Sequence, residues 1–217
     1  MARDGAEPMR ASSASPAGLQ ARLQAIYGVE APGVDAFLLA PDAAVALGHR
    51  RRAPEELLVV EEGGDLLVGL CLDEVVTAGA ARGRLGRLAE LAEGVSHFVY
   101  LCTRAAAGRP VSLLELEVQA EVDKFAVLLL ARWRHDRRRR SRALRRRLFE
   151  AVGYRADLGA EALHRYREAN RLGGGYARWL EGRFVASDDL EGLLRELRAS
   201  YRLGGGEKYG HLMARAH

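Results

Sequence analysis

Apolar and polar residues alternate along this chain with two different periods, and the change of period predicts the fold class. Between Glu55 and Asp73, two short runs rich in Val and Leu flank the sequence EEGGD, a pattern typical of a β-hairpin. From Gly83 onward, apolar residues recur three and four positions apart, as in amphipathic helices. The sequence therefore predicts an α+β, mainly α fold, with a small N-terminal antiparallel β-hairpin sheet followed by a bundle of about five or six helices around a central helix.

The central helix is predicted at residues 112–134. Part of this segment alternates with period two, as a half-buried strand does. However, Ser112 and Glu115 have the spacing of a capping box, and Leu, Glu, Gln and Ala favour helices over strands. The predicted apolar face consists of Val118, Val122, Phe125 and Leu129.

Three charged residues form a stripe beside that apolar face. Glu117, Glu121 and Lys124 are spaced i, i+4 and i+7, so a helix places them in one row. Buried charges are costly unless they are paired. We expect Lys124 to pair with Glu121, and Glu117 to meet an arginine of another helix or a bound ligand. The stripe is the candidate catalytic site, and a satisfied salt-bridge network or an exposed helix edge is the alternative.

A later apolar seam runs from Leu163 to Phe184 and passes straight through Gly173–Gly175. Either one helix tolerates these glycines or two helices meet there in register. Asn170, the one asparagine of the chain, falls on this seam. A lone polar residue at such a position fixes helix register or binds something buried, so Asn170 is a candidate binding residue.

The sequence RLGGG occurs twice, at 171–175 and at 202–206. The repeat suggests either two related helical hairpins or simple helix punctuation by glycine. A Gly-rich loop that opens a helix is also a candidate phosphate cradle, with Lys208 beside the second copy, although neither copy has the spacing of a P-loop or dinucleotide motif. We favour punctuation and keep Lys208 as a candidate binding residue.

Composition indicates a globular protein, with 48% hydrophobic and 29% charged residues. The longest apolar stretch, residues 125–131, is much shorter than the roughly 20 residues of a membrane span. No secretory signal is evident at the N-terminus, so a cytoplasmic location is predicted.

Cys71 and Cys102 are expected to be buried reduced thiols. Glu93 and His97 share one helix face, which we interpret as a solvated pair rather than a metal site; no metal or cofactor is predicted.

Five segments are predicted along the chain. They are a disordered leader at 1–16, a small α+β subdomain with the hairpin at 17–80, a central helical hairpin at 81–135, an arginine-rich segment at 136–148 and C-terminal helices at 149–217.

The arginine-rich region concentrates the positive charge of the protein. Residues 132–147 contain ten arginines and one aspartate, about +9, whereas the whole chain is +4, which leaves about −5 for the remainder. Of 33 basic residues only two, Lys124 and Lys208, are lysines, so a compositional bias toward Arg contributes to the run. The segment is either a solvated linker or a surface for anions. The candidate binding residues in it are Arg137, Arg138, Arg139, Arg140, Arg145 and Arg146.

Three classes of function fit these observations. A binding or adaptor protein, whose arginine-rich segment engages nucleic acid or an acidic protein partner, accounts for the segregated charge. An enzyme accounts for the stripe around Glu117, Glu121 and Lys124, and a structural subunit of a larger assembly accounts for the helical seams. We place the binding protein first, without a membrane partner.

Overall fold

A computed structural model describes residues 14–46, 53–63, 65–131, 133 and 137–216. All but the last three residues of the predicted leader at 1–16 lie outside the described residues. The chain divides into two compact units. The N-terminal unit comprises residues 1–25 and 29–103, and the C-terminal unit comprises residues 26–28 and 104–217.

The N-terminal unit combines short helices with the sheet. Its elements are α1 (Pro16–Tyr27, whose last turn belongs to the C-terminal unit), a 3₁₀ turn (Val34–Phe37), β1 (Leu38–Leu39), α2 (Pro41–Ala46), β2 (Glu55–Glu62), β3 (Asp65–Leu72), α3 (Glu74–Ala81) and most of α4 (Leu85–Ala106).

The predicted hairpin is confirmed as β2 and β3, which pair antiparallel from Glu55 opposite Leu72 to Glu62 opposite Asp65. Gly63 turns the chain with φ of 62°, a backbone angle that glycine adopts without strain. The sheet order is β1-β3-β2. Unlike the antiparallel sheet we predicted, β1 lies parallel to β3. No hairpin joins these two strands, since α2 and β2 intervene, so a tight turn does not set their relative direction.

Helix α4 packs on the hairpin through a glycine. A Cβ atom at Gly94 would lie 3.3 Å from side-chain atoms of Glu55, Leu70 and Leu72, so a larger residue would separate helix and sheet. Phe98, one turn further along α4, packs against Phe37 with ring centroids 4.9 Å apart. These contacts form the core of the N-terminal unit.

The C-terminal unit is helical throughout its described elements. They are α5 (Leu113–Leu130), α6 (Arg137–Arg145) continued by a π-turn (Arg146–Glu150), α7 (Ala160–Leu180) continued by a second π-turn (Glu181–Val185), α8 (Leu190–Arg202) and α9 (Gly205–Met213). The α+β, mainly α class predicted from sequence is therefore correct. Described helices that the periodicity did not indicate include α2, α3 and α6, the last being the arginine-rich segment.

Helix α5 is the central helix of this unit. Ser112 caps it, because its side chain accepts a hydrogen bond from the Glu115 N–H at 3.1 Å. The whole predicted apolar face, from Val118 to Leu129, is buried. The prediction of a helix rather than a strand here is confirmed, and its main packing partner is α7.

Helix α7 runs unbroken through the first RLGGG sequence. A Cβ atom at Gly173 would lie 2.7 Å from the Cβ atom of Glu121 on α5, and one at Gly174 would lie 3.1 Å from Phe149. At Gly175, the same atom would lie 2.6 Å from Ala216. The glycines thus allow three neighbouring segments to approach α7 closely, which compensates for their low helix propensity.

The second RLGGG sequence, by contrast, separates two helices. Leu203 follows the end of α8, Gly204 is the N-cap of α9, and Gly205 has a φ of 50°. Helix punctuation is therefore correct for this copy, whereas the idea of two repeated hairpins is wrong. The two copies differ because the first has close neighbours on several sides of an uninterrupted helix and the second forms a turn.

Substituting Gly173 by Ala tests the close approach of α7. The new methyl group would meet the Cβ of Glu121, which cannot move without its helix, so we expect a loss of about 1 to 3 kcal/mol in the free energy of unfolding. Gly210, in α9, is a matched control because nothing lies within 4 Å of its Cβ position. Gly210→Ala should stabilise by about 0.5 to 1 kcal/mol through helix propensity. Urea denaturation measures the free energy of unfolding of both variants. If Gly173→Ala and Gly210→Ala change it equally, the close approach at Gly173 does not determine the packing of α7.

Candidate functional site

The arginine-rich helix α6 has one face anchored to the protein. Ser141 and Arg145, one turn apart, both donate hydrogen bonds to the carboxylate of Glu181 in the π-turn that follows α7. The Arg145 Nε atom lies 2.5 Å from Glu181, and its Nη1 atom lies 2.5 Å from Glu150. Burial lowers the pKa of Arg145, but hydrogen bonds to these two carboxylates outweigh burial and raise it. Arg145 is therefore neutralised within the fold.

A neighbouring face of α6 carries arginines around an open pocket. The pocket has a volume of about 410 Å³ and is lined by Arg138, Arg139, Arg142, Ala143 and Arg146. Arg138, Arg139, Arg142 and Arg146 are all exposed. No carboxylate among the described residues pairs with Arg139 or Arg142, while Arg146 lies 3.6 Å from Glu150 in an exposed ion pair. Arg139 and Arg142 thus offer guanidinium groups that can bind an added anion, whereas Arg138 and Arg146 already contact other groups of the protein.

The arginines predicted as binding residues divide between these environments. Arg138, Arg139 and Arg146 line the pocket, Arg140 is exposed outside the pocket lining, and Arg145 is anchored. The side chain of Arg137 lies outside the described residues. Sequence reasoning missed Arg142, although its spacing of three and four residues from Arg139 and Arg138 places it on the same helix face. Arg138 also donates a hydrogen bond to the carbonyl oxygen of Ala186, which orients its side chain.

The stripe on α5 is an ion-pair network. Lys124 Nζ lies 3.1 Å from Glu121, and both side chains are largely buried, with 11% and 14% of their surface exposed. Glu117 is buried and lies 3.7 Å from Nε of Arg165 on α7. The predicted pairings are therefore confirmed, including an arginine of another helix for Glu117. Each charge has a partner within the protein, and a catalytic role for the stripe stays a prediction.

Asn170 lies half-buried on α7 and links it to the π-turn after α6. Its amide nitrogen donates to the carbonyl oxygen of Phe149 at 3.1 Å. The ring of Phe149 in turn packs on Gly173 and Gly174. In the structure, Asn170 thus fixes the position of Phe149, in agreement with the predicted hydrogen bond at a helix seam; its role as a binding residue is untested.

Lys208 lies at the centre of a buried polar network. It is fully buried on α9, and its ammonium group donates to Oε1 of Gln119 at 2.5 Å. The Gln119 amide donates to Asp123 at 2.7 Å, and the hydroxyl of Tyr27 donates to the same carboxylate. The ring of Tyr27 stacks on Tyr201 with centroids 4.1 Å apart, and the Lys208 ammonium lies 5.8 Å from the centroid of Tyr201.

The network shifts two titration equilibria. Burial lowers the pKa of Lys208 to about 7, although the negative charges of Asp123 and Glu115 oppose the shift. Burial and the neighbouring Asp123 carboxylate raise the pKa of Tyr27 well above its ordinary value. The phenol therefore stays protonated and donates to Asp123 at any physiological pH.

The turn before α9 does not offer a phosphate cradle. The N–H of Gly205, which such a cradle would use, donates to Glu115 at 2.9 Å. Glu115 also lies 3.4 Å from Arg104, and Arg104 donates to the last carbonyl of α8, at Arg202. A protein carboxylate thus occupies the position at the start of α9 where an anion would bind. Lys208 binds a protein side chain instead of a phosphate.

The remaining candidate residues lie on or near α4. Glu93 and His97 are half-buried rather than solvated as we predicted, because residues on several sides of α4, from Leu91 to Leu101, are buried. Both cysteines are reduced thiols, as predicted, but only Cys71 is buried, whereas Cys102 is half-buried. Burial raises the pKa of Cys102 to about 11, so its thiol is protonated and weakly reactive at neutral pH.

Comparison with known proteins gives no relative: no family model, no curated protein and no solved structure matches this chain. Within the described residues, no helix has both the length and the apolar character that crossing a membrane requires. Any assignment of function rests on the chain's own residues.

Replacing Lys124 by Met tests the burial of the α5 stripe. The variant leaves the carboxylate of Glu121 without its ammonium partner in a largely buried position, so we expect a loss of about 1 to 3 kcal/mol in the free energy of unfolding. A control is Arg195→Met, which removes an exposed ion pair with Glu191 at 3.6 Å and should cost less than about 1 kcal/mol. Equal losses in urea denaturation would show that the stripe is solvated.

Replacing Lys208 by Met tests the buried amine. Between about pH 7 and the usual lysine value of 10.5, the unfolded chain binds the proton of Lys208 more readily than the folded chain does. The stability of the wild type therefore rises with pH in this window, and a Met variant lacks that rise. The free energy of unfolding of the wild type, relative to that of Lys208→Met, should increase by up to about 1.4 kcal/mol per pH unit between about pH 7 and 9.5. Urea denaturation of both proteins across this pH range measures the increase. If the difference between their free energies of unfolding stays constant with pH, the pKa of Lys208 is not shifted.

Proposed function

We propose that this protein binds nucleic acid through the exposed arginine face of α6, defined by Arg138, Arg139, Arg142 and Arg146. The observation that carries the proposal is the pocket of about 410 Å³ that these four side chains line. Guanidinium groups bind phosphate oxygens with two parallel hydrogen bonds, and they stay charged at any physiological pH. An open pocket that carries several positive charges on an ordered helix can bind a polyanion, such as the phosphate backbone of a nucleic acid.

The spacing along the helix supports a phosphate backbone as the ligand. Arg139 and Arg146 are seven residues apart, which is about 10 Å along a helix axis. B-DNA carries about one phosphate charge per 1.7 Å of duplex axis when both strands are counted, so a row of this length lies within reach of several phosphates. Arg142 lies between Arg139 and Arg146 on the same face. The row is therefore long enough to contact more than one phosphate.

The anchored face of α6 contributes rigidity to the same function. Glu181 holds Ser141 and Arg145, so the helix is fixed and the arginines around the pocket are presented in a constant row. A fixed row loses less conformational entropy on binding than a disordered basic tail does. Contacts to phosphates carry no sequence information, so binding with little sequence preference is expected. The protein accordingly acts as a binding or adaptor protein, and its cytoplasmic location is part of the proposal.

Salt dependence and matched arginine variants test the proposal. Binding of a fluorescent 20-base-pair DNA duplex, followed by anisotropy, should weaken with salt at a log-log slope of about −3 to −4, because each neutralised phosphate contributes about −0.9. The triple variant Arg139→Gln, Arg142→Gln, Arg146→Gln should reduce the magnitude of this slope to about 1 and lower affinity at least about tenfold at low salt.

A triple variant with the same change in net charge is the control. Arg171, Arg178 and Arg195 are exposed on α7 and α8 and take no part in the pocket. Their replacement by Gln should change affinity less than about threefold, since general attraction alone is reduced. Equal losses in the two triple variants would contradict a defined site. Absence of DNA and RNA binding, with salt-sensitive binding of poly-glutamate, would instead identify an acidic protein as the partner.

A further inference from the structure

Strand β2 forms an edge of the sheet in the N-terminal unit. The strand order is β1-β3-β2, so among the described strands β2 pairs on one side only. Its sequence, EELLVVEE, places four apolar residues between two pairs of glutamates. An eight-residue edge strand exposes a row of backbone donors and acceptors on which a further strand can form.

The pairing pattern identifies which backbone groups point away from the sheet. The N–H of Asp73 donates to the carbonyl of Pro54 at 2.8 Å, so this pair is hydrogen-bonded across the hairpin. Hydrogen-bonded and non-hydrogen-bonded pairs alternate in an antiparallel ladder. The N–H and carbonyl groups directed outward from β2 are therefore those of Glu55, Leu57, Val59 and Glu61.

The outer half of the hairpin also exposes large apolar side chains on both faces. Val60 and its partner Leu67 lie on one face, each 54% exposed. Val59, at 44%, and Leu66, at 39%, lie on the other face. Soluble proteins keep such contiguous apolar surface small unless something binds there. An added strand would cover these side chains as well as satisfy the backbone of β2.

A second copy of this chain is a poor occupant for this edge. When two β2 strands pair antiparallel through their outward backbone groups and the pairing is centred on Leu58, Glu55 of each copy lies opposite Glu61 of the other copy. A parallel pairing through the same groups must be offset by one residue, and it places Glu55 beside Glu56 and Glu61 beside Glu62. Like charges on neighbouring strands destabilise a sheet, so the glutamates oppose self-association and favour a partner of opposite charge.

We propose that the outer edge of β2 binds an extended peptide segment with an apolar centre and Lys or Arg residues at both ends, which adds to the sheet as a further strand. The outward backbone groups of Leu57 and Val59 bind its main chain. Glu56 and Glu61, near the two ends of β2, attract its basic residues, and Val59 and Val60 contact its apolar side chains. The partner is therefore a basic protein segment, bound at a surface separate from α6.

The experiment uses the full chain and synthetic nine-residue peptides. The test peptide has the centre Val-Thr-Val-Thr-Val with two lysines at each end, and the control peptide has the same centre with two glutamates at each end. We expect the lysine peptide to bind at least tenfold more tightly by fluorescence anisotropy. Its binding should protect the amides of Leu57 and Val59 from hydrogen exchange, because these N–H groups become hydrogen-bonded.

A variant of the outward backbone makes the test specific. Val59→Pro removes one outward N–H and leaves the ladder to β3 intact, since proline is tolerated on the open side of an edge strand. The Val59→Pro variant should bind the lysine peptide at least tenfold more weakly than the wild type does. Val59→Thr keeps the N–H and the β-branched shape, and it should change affinity less than threefold. Circular dichroism shows whether each variant is folded, and amide protection in the wild type gives an answer that needs no variant.

Three results of the peptide experiment would overturn the proposal. They are equal affinity for the lysine and glutamate peptides, binding of the lysine peptide with no protection of Leu57 and Val59, and a folded Val59→Pro variant with unchanged affinity. A wild type that dimerises at micromolar concentration while Val59→Pro stays monomeric would also overturn it, because a second copy would then occupy the edge.

Discussion

The arrangement of the C-terminal unit depends on the burial of one amine, that of Lys208. In its charged form, an amine that loses all contact with water destabilises a protein by several kcal/mol unless polar groups surround it, and this cost lowers the pKa of Lys208 to about 7. Helix α5 supplies these groups from one side, with Gln119 in direct contact and Asp123 and Glu115 near enough to favour the charged form. The placement of α9 against α5 follows from this requirement, since a shift along α5 would strand the amine.

The same requirement explains the compact turn between α8 and α9. Arg104 reaches the last carbonyl of α8 and lies beside Glu115. A Cβ atom at Gly204 would lie 1.8 Å from the guanidinium of Arg104, so this arrangement needs a glycine at that position. Glu115 at the same time accepts from the first N–H of α9. The turn thus satisfies both helix ends with side chains, and it directs Lys208 into the core one turn later.

Local patterns made the secondary structure predictable, and distance along the chain limited the prediction of the site. The β2–β3 hairpin, the Ser112 cap and the Lys124–Glu121 pair each join residues close in sequence, where spacing alone decides which side chains meet. Lys208 and Gln119 are 89 residues apart, and Tyr27 and Asp123 are 96 apart. Helical periodicity predicts which face of a helix is apolar, but it does not predict which other helix packs against that face. The scarcity of lysine marked Lys208 as unusual, whereas its partners were visible only in three dimensions.

The arginine-rich helix shows the same limit in another form. The arginines of α6 are chemically identical in the sequence, and a bias in composition would enrich them everywhere on the surface. The fold separates them by the position of two carboxylates, Glu181 and Glu150, which neutralise Arg145. Arg139 and Arg142 line the pocket, and no described carboxylate meets them. A bias in composition explains the number of arginines but not why the fold neutralises Arg145 and leaves Arg139 and Arg142 beside an open pocket. That difference, rather than the arginine count, is the physical basis of the proposal that this helix binds anions.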